Sequence, residues 1–190
     1  MSKKYFEDQT YERQTFAGNN LEMGDYENCY FENCSFINTD LSNIHFIECG
    51  FKACLFMTIN LHQTVFREVD FTECKAMGLH FDACNSFLFS INFKDCNLEL
   101  SSFFEMDLRA TSFKNTSLKK VDFTKSNLSA TLIEECDLNA AIFEYSNLES
   151  TDLSTAYNFQ IDPELNQIKK ATFSKNALLG LLGKYGIKVV

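Results

Sequence analysis

The sequence predicts an all-β solenoid with a C-terminal helical cap, and three regularities carry that prediction. First, an apolar centre returns at every fifth position from Phe93 through Leu98, Phe103, Leu108, Phe113, Leu118, Phe123, Leu128, Ile133, Leu138, Phe143 and Leu148 to Leu153. A period of five fits neither the helical repeat of about 3.6 nor the strand repeat of about two. Second, the residue two positions before each centre is small, as at Cys96, Ser101, Thr111, Thr116, Ser126, Thr131, Cys136 and Ala141, with Met106 the large exception. Third, like residues recur every twentieth position: Leu21, Leu41 and Leu61; Phe16, Phe36 and Phe56; Phe31, Phe51 and Phe71. Four repeats therefore make one coil, and stacked coils bury a continuous column of side chains.

In chain order, residues 1–5 read as a short tail and the ladder begins at Phe6, continuing through Tyr11, Phe16, Leu21, Tyr26 and Phe31 to Phe71. Ala76 weakens it and Phe81 restores it. The residue before each centre is often Asp, Asn or Ser, as at Asn97, Asp107, Asp122, Asn127 and Asp137, which favours a turn at each corner. Between Phe81 and Phe93 the frame shifts by two residues, so Asp82 to Asn92 hold either a bulge at a coil corner or a kink in the rod. Residues 6–153 give nearly eight coils, about 37 Å long at a strand spacing of about 4.8 Å.

Residues 154–190 read as a capping or dimerisation module. Asp162-Pro163-Glu164 predicts an N-cap, a first-turn proline and a short helix reaching about Gln167. Ser174 predicts the cap of a second helix with the apolar stripe Ala177, Leu178, Leu181, Leu182 and Tyr185, stopped by Gly186. Ile187 to Val190 alternate as a short strand would. A solenoid end must be covered, so this helix is a cap, a surface that joins two chains, or both.

The chain has 190 residues, twenty Phe, no Trp and one Pro, and fifteen of the Phe stand at repeat centres. The aromatic content is thereby structural, and no cofactor is expected. No secretory leader or membrane-crossing run is visible, which predicts a cytoplasmic protein. All eight cysteines, Cys29, Cys34, Cys49, Cys54, Cys74, Cys84, Cys96 and Cys136, stand two residues before a centre. There they serve as small inward side chains, and the parallel stacking of their columns predicts free thiols rather than disulfides. His45, His62 and His80 fall on separate coils facing outward, with no Ser/His/Asp grouping and no metal set. No enzyme activity is expected.

The formal net charge is −9 and uneven, with 14 acids against 7 bases in residues 1–95 and 12 against 10 thereafter. Glu7 and Glu27 share one column, Glu12 and Glu32 another. Stacked carboxylates repel one another, and on a narrow rod they approximate the negative line charge of a DNA duplex. The candidate partner-binding residues are Glu7, Glu12, Glu22, Glu27, Glu32 and Glu48. Arg109, Lys114, Lys119, Lys120 and Lys125 lie mostly on different faces and read as solvated charge, so no direct nucleic-acid binding is expected.

Repeats such as Ser126-Asn127-Leu128-Ser129-Ala130 and Ser146-Asn147-Leu148-Glu149-Ser150 resemble those of the pentapeptide-repeat family. The resemblance implies a right-handed quadrilateral β-helix with four faces. The ending, Asp162-Pro163-Glu164-Leu165-Asn166 and then Leu181-Leu182-Gly183-Lys184-Tyr185-Gly186-Ile187, is similar to that of the quinolone-resistance (Qnr-type) and microcin-immunity members. Those members imply a homodimer joined through Ala177, Leu178, Leu181, Leu182, Tyr185 and Ile187 that binds DNA gyrase or topoisomerase IV in place of DNA. The long loops of the Gram-negative quinolone-resistance members are missing here, the only interruption being the shift near Ser86. The alternative reading is an interaction or scaffold repeat protein without a topoisomerase partner.

Overall fold

A computed structural model describes residues 4–18, 21–109 and 111–188. The chain winds as a four-faced β-solenoid in which all strand pairs are parallel. Face 1 holds the strands Lys4–Glu7, Gly24–Glu27, His45–Ile47 and Val65–Arg67. Face 2 runs almost the whole length as nine strands, from Thr10–Glu12 and Tyr30–Glu32 to Asp152–Leu153 and Thr172–Phe173, and so spans eight coil-to-coil steps. Face 3 holds Thr15–Gly18, Ser35–Thr39, Leu55–Met57 and Lys75–Ala76. Face 4 is joined by single bridges such as Asp40 to Asn60 and Ser102 to Asp122.

Many corners, most of them in the C-terminal half, are made by two residues acting together. The polar residue before the centre accepts a hydrogen bond from the amide two positions on, as Asn97 does from Glu99 at 3.0 Å and Asp122 from Thr124 at 2.8 Å. The residue two after the centre takes the left-handed conformation, at Asn28, Glu48, Glu68, Lys120 and most of their equivalents. The predicted turn chemistry thus holds, and the left-handed residue is the part that the sequence pattern does not announce.

Inside, the rings stack at the coil spacing: Tyr11 on Phe31 at 4.7 Å, Phe31 on Phe51 at 4.8 Å and Phe51 on Phe71 at 4.8 Å. The small residue two positions before each centre does more than make room. Many of these residues donate to the carbonyl of a centre one coil earlier: Thr39 to Phe16, Thr64 to Leu41, Thr131 to Leu108, Thr151 to Leu128 and, more weakly, Cys34 to Tyr11. A buried polar atom needs such a partner, which accounts for Thr, Ser and Cys at this position. The thiols of Cys29, Cys34, Cys49, Cys54, Cys74 and Cys96 accordingly point along the stack at carbonyls, and all eight cysteines are free and buried. Burial pushes the Cys49 and Cys136 thiols up to about 12.

The two-residue insertion is a bulge on face 1. Asn85 still donates to Thr64 O, whereas Val69 already pairs with Ile91, twenty-two residues on. The expected centre in this coil is Ser86, which is exposed and too small to fill the core. Phe89 enters instead, its ring nearly perpendicular to Phe66 at 6.5 Å. The bulge leaves Phe87 76% exposed and ends the face 1 ladder of longer strands.

The C-terminal region differs from expectation in four ways. The ladder does not stop at Leu153: Asn158 is turned out, Phe159 and Ile161 fill the interior, and Leu153 pairs with Phe173. No helix follows Asp162. Its carboxylate does accept from Glu164 N at 2.9 Å, but Gln167 then donates to Ser146 O and returns the chain to the coil after one turn. The second helix forms as a 3-10 segment, Lys175–Leu181, with Ser174 accepting from Ala177 N, and a further turn, Gly183–Tyr185, ends at left-handed Gly186. Ile187 and Lys188 form no strand, and Val189 and Val190 lie outside the described residues.

Candidate protein-docking face

The structure lines up the predicted glutamate pairs in register, Glu7 opposite Glu27 on face 1 and Glu12 opposite Glu32 on face 2. Glu48 stands at the corner between those two faces, beside Glu7 and Glu27, whereas Glu12 and Glu32 end the face 2 strands one corner further on, so five of the six candidates frame face 2 on its two sides. Glu22 does not join them. It follows the face 4 centre Leu21 and forms an ion pair with Lys4. Sequence reasoning missed Asp8, Glu68 and Asp70, which the coil arithmetic places beside Glu48 and the face 2 strands. The signal for Asp8 and Glu68 was the twenty-residue column Asp8, Asn28, Glu48, Glu68, and Asp70 stands in the neighbouring column Tyr30, Gly50, Asp70.

The acidic charges framing face 2 are largely uncompensated. Glu32 binds Lys52 at 3.1 Å, but Glu7, Glu12, Glu27, Glu48 and Glu68 form no salt bridge among the described residues. Tyr5 donates to Glu27 at 2.7 Å, and that carboxylate raises the phenol to about 12. The basic cluster is the reverse case. Arg109 pairs with Asp107, Lys114 with Glu134, Lys119 with Asp137, Lys120 with Glu99 and Lys125 with Glu105, at 2.6–3.2 Å. These cations are thus matched locally and form no bare positive strip.

The three histidines face outward; His45 contacts Asp25 at 2.9 Å and His80 contacts Asp82 at 3.3 Å. No group of three or more potential metal ligands is found among the described residues. No described helix is long and apolar enough to cross a membrane.

A groove of about 640 Å³ lies on face 2, alongside the acidic edge. Tyr30 lies over Gly50, where a Cβ would come within 2.9 Å of the ring. Glu48 and Glu68 line one side, with Asp70 beyond Gly50 and Glu32 and Lys52 on the other side.

The predicted C-terminal stripe divides in two. Ala177 and Leu181 pack on the core, and Gly180 sits so close to Phe159 that a Cβ would fall 2.3 Å from its carbonyl oxygen. Ile161 donates to Gly180 O at 2.9 Å, and Lys184 clasps Asp162 at 2.8 Å and Glu164 at 2.6 Å. These contacts hold the segment against residues 159–164 and the core. Leu178, Leu182, Tyr185 and Ile187 are exposed on its outer side.

Comparison with known proteins accords with this geometry. A model described as pentapeptide repeat region matches residues 25–87, and one described as pentapeptide repeats (8 copies) matches 91–129 and 122–157. Among curated proteins none matches. Among solved structures, full-length QnrB1, described as a plasmid-mediated fluoroquinolone resistance protein, is 18% identical, with 97% of this chain and 100% of that chain covered and a TM-score of 0.52. HetL, described as involved in heterocyst differentiation regulation in the cyanobacterium Nostoc sp. strain PCC 7120, is 13% identical, with 89% and 86% covered and a TM-score of 0.58. The repeat register, the stacked core and the matched models together make this chain a member of the pentapeptide-repeat family, with a fold resembling that of Qnr.

Proposed function

We propose that the protein is a non-enzymatic DNA mimic that binds a type II topoisomerase, DNA gyrase or topoisomerase IV, and through it confers resistance to a quinolone or a toxin. The observation that carries this reading is the acidic margin of face 2, in which Glu7 and Glu27, Glu12 and Glu32, and Glu48 and Glu68 repeat along the rod at the coil spacing, with Glu32 alone in a salt bridge among the described residues. A duplex presents one phosphate charge per about 1.7 Å of its axis, and a protein surface built to grip it gains from any rigid negative row of similar width. The fold likeness to a fluoroquinolone resistance protein adds support. The exposed Leu178, Leu182, Tyr185 and Ile187 join two rods end to end, which would give the assembly the two-fold symmetry of its target.

The test is binding of the purified protein to immobilised gyrase and topoisomerase IV, beside a triple variant Glu12→Lys, Glu27→Lys and Glu32→Lys. The reading expects binding that weakens with salt and is lost in the variant while its circular dichroism is unchanged. Equal binding by both proteins contradicts mimicry. A second reading, a scaffold without a topoisomerase partner, is favoured by the equally good fold match to HetL. It expects no binding to either enzyme.

A further inference from the structure

From the groove on face 2 we infer a docking site for an arginine side chain of a partner's basic segment. The inference rests on the reading of the acidic edge as a protein-binding surface and specifies which side chain it receives there. Three features of the groove converge on a planar cation. Tyr30 is 52% exposed and lies across Gly50, offering a flat π-face at the surface. Gly50 takes part in regular parallel pairing with Tyr30 and Asp70, so the glycine is not there for a turn. What its missing Cβ permits is the ring, which any larger residue would push outward from 2.9 Å.

The second feature is charge. Of the five charged groups that line the groove, Glu32 and Lys52 neutralise each other. Glu48 and Glu68 have no side-chain partner among the described residues, and Asp70 engages only the amide of Asn92, at 3.0 Å. The groove therefore carries three carboxylates without a counter-charge. The third feature is their disposition. Glu48 and Glu68 stand on successive coils, both in left-handed corners, about 4.8 Å apart along the rod. A guanidinium donates through five N–H groups in a fixed fork and stacks on an aromatic ring, whereas an ammonium is a compact, strongly hydrated point charge. An arginine can thus lay its plane on Tyr30 and reach the carboxylate wall, and a lysine satisfies only the charge.

The experiment titrates hexa-arginine and hexa-lysine peptides separately into the full-length protein, read by calorimetry and by tyrosine fluorescence. Hexa-arginine is expected to bind about tenfold more tightly than hexa-lysine, a ratio in line with one stacked and forked contact. Tyr30→Ala should bring the arginine peptide to the lysine value, while Glu48→Gln with Glu68→Gln should weaken both about tenfold. Equal wild-type affinities, or an arginine preference that survives Tyr30→Ala, overturns the proposal. So does insensitivity to the glutamate changes. Because Tyr30 and both glutamates are exposed, circular dichroism of each variant should match the parent, and the double glutamine variant serves as a probe independent of the ring. No topoisomerase enters this assay. Arginine binding without gyrase binding would leave the groove standing and remove the mimicry reading, and gyrase binding without arginine preference would do the opposite.

Discussion

Three threonines on face 2 offer a stringent test of why the position two before a centre so often carries a hydroxyl. Thr111, Thr131 and Thr151 occupy equivalent places in consecutive coils, and all three are buried. Thr131 donates to Leu108 O at 3.0 Å and Thr151 to Leu128 O at 2.6 Å. The same step of twenty-three residues from Thr111 leads to Leu88, inside the bulge, and the Thr111 hydroxyl has no partner among the described residues. Replacement by Val keeps the shape and removes the oxygen. At Thr131 and Thr151 one net hydrogen bond is lost; each carbonyl keeps a bond from the amide three residues on, so no acceptor is stranded and the cost is about 0.5–1.5 kcal/mol. At Thr111 the change removes an unsatisfied buried group and stabilises by roughly 1 kcal/mol. Urea unfolding followed by circular dichroism reads the three variants on one scale. If Thr111→Val loses as much stability as the other two, the donor rule and the bulge's displacement of its acceptor are both wrong.

The core makes a larger demand. Phe51 contacts rings above, below and on both flanks, so Phe51→Ala should cost about 3–5 kcal/mol by thermal or urea unfolding, as should the equally internal Phe56→Ala. The cap should be acid-sensitive. Hydrogen bonds from Lys184 lower the carboxyls of Asp162 and Glu164 below their usual values, so their contribution is complete at neutral pH and is lost as pH falls through the folded-state values, below about pH 4. Hydrogen exchange at the Ile161 amide, bonded to Gly180, should quicken over that range, and Lys184→Met should remove most of the pH dependence. The thiols should be inert: the folded protein at pH 8 should leave a disulfide-exchange reagent unreacted and yield all eight thiols only once denatured, without reductant.

How much of this was legible depended on whether a residue's role repeats. Phe31, Phe51 and Phe71 declare the coil because each does the same job twenty residues on, and the paired glutamates at 7 and 27 or 12 and 32 follow from the same count. The inward thiols were legible for the same reason. What the pattern hides is whatever breaks it. Ser86 occupies a centre and Phe89 replaces it, a substitution in space that no spacing reports. Beyond Leu153 the interior is filled off-register by Phe159 and Ile161, so the ladder looks finished while the coil continues to Phe173. The helix expected after Asp162 used a real capping side chain, but the chain's obligation to pair with Ser146 overrode it. The groove was invisible because Tyr30 and Gly50 are ordinary alone and form a feature only when stacked.

The measurement that bears most directly on the central claim is DNA supercoiling by purified gyrase as this protein is added, with and without a fluoroquinolone, beside the Glu12, Glu27 and Glu32 reversal. A DNA mimic should inhibit supercoiling progressively, lose that effect in the reversed variant, and relieve drug-induced cleavage at concentrations below those that inhibit. Supercoiling unchanged by the protein at any concentration, for gyrase and for topoisomerase IV relaxation alike, would contradict the account.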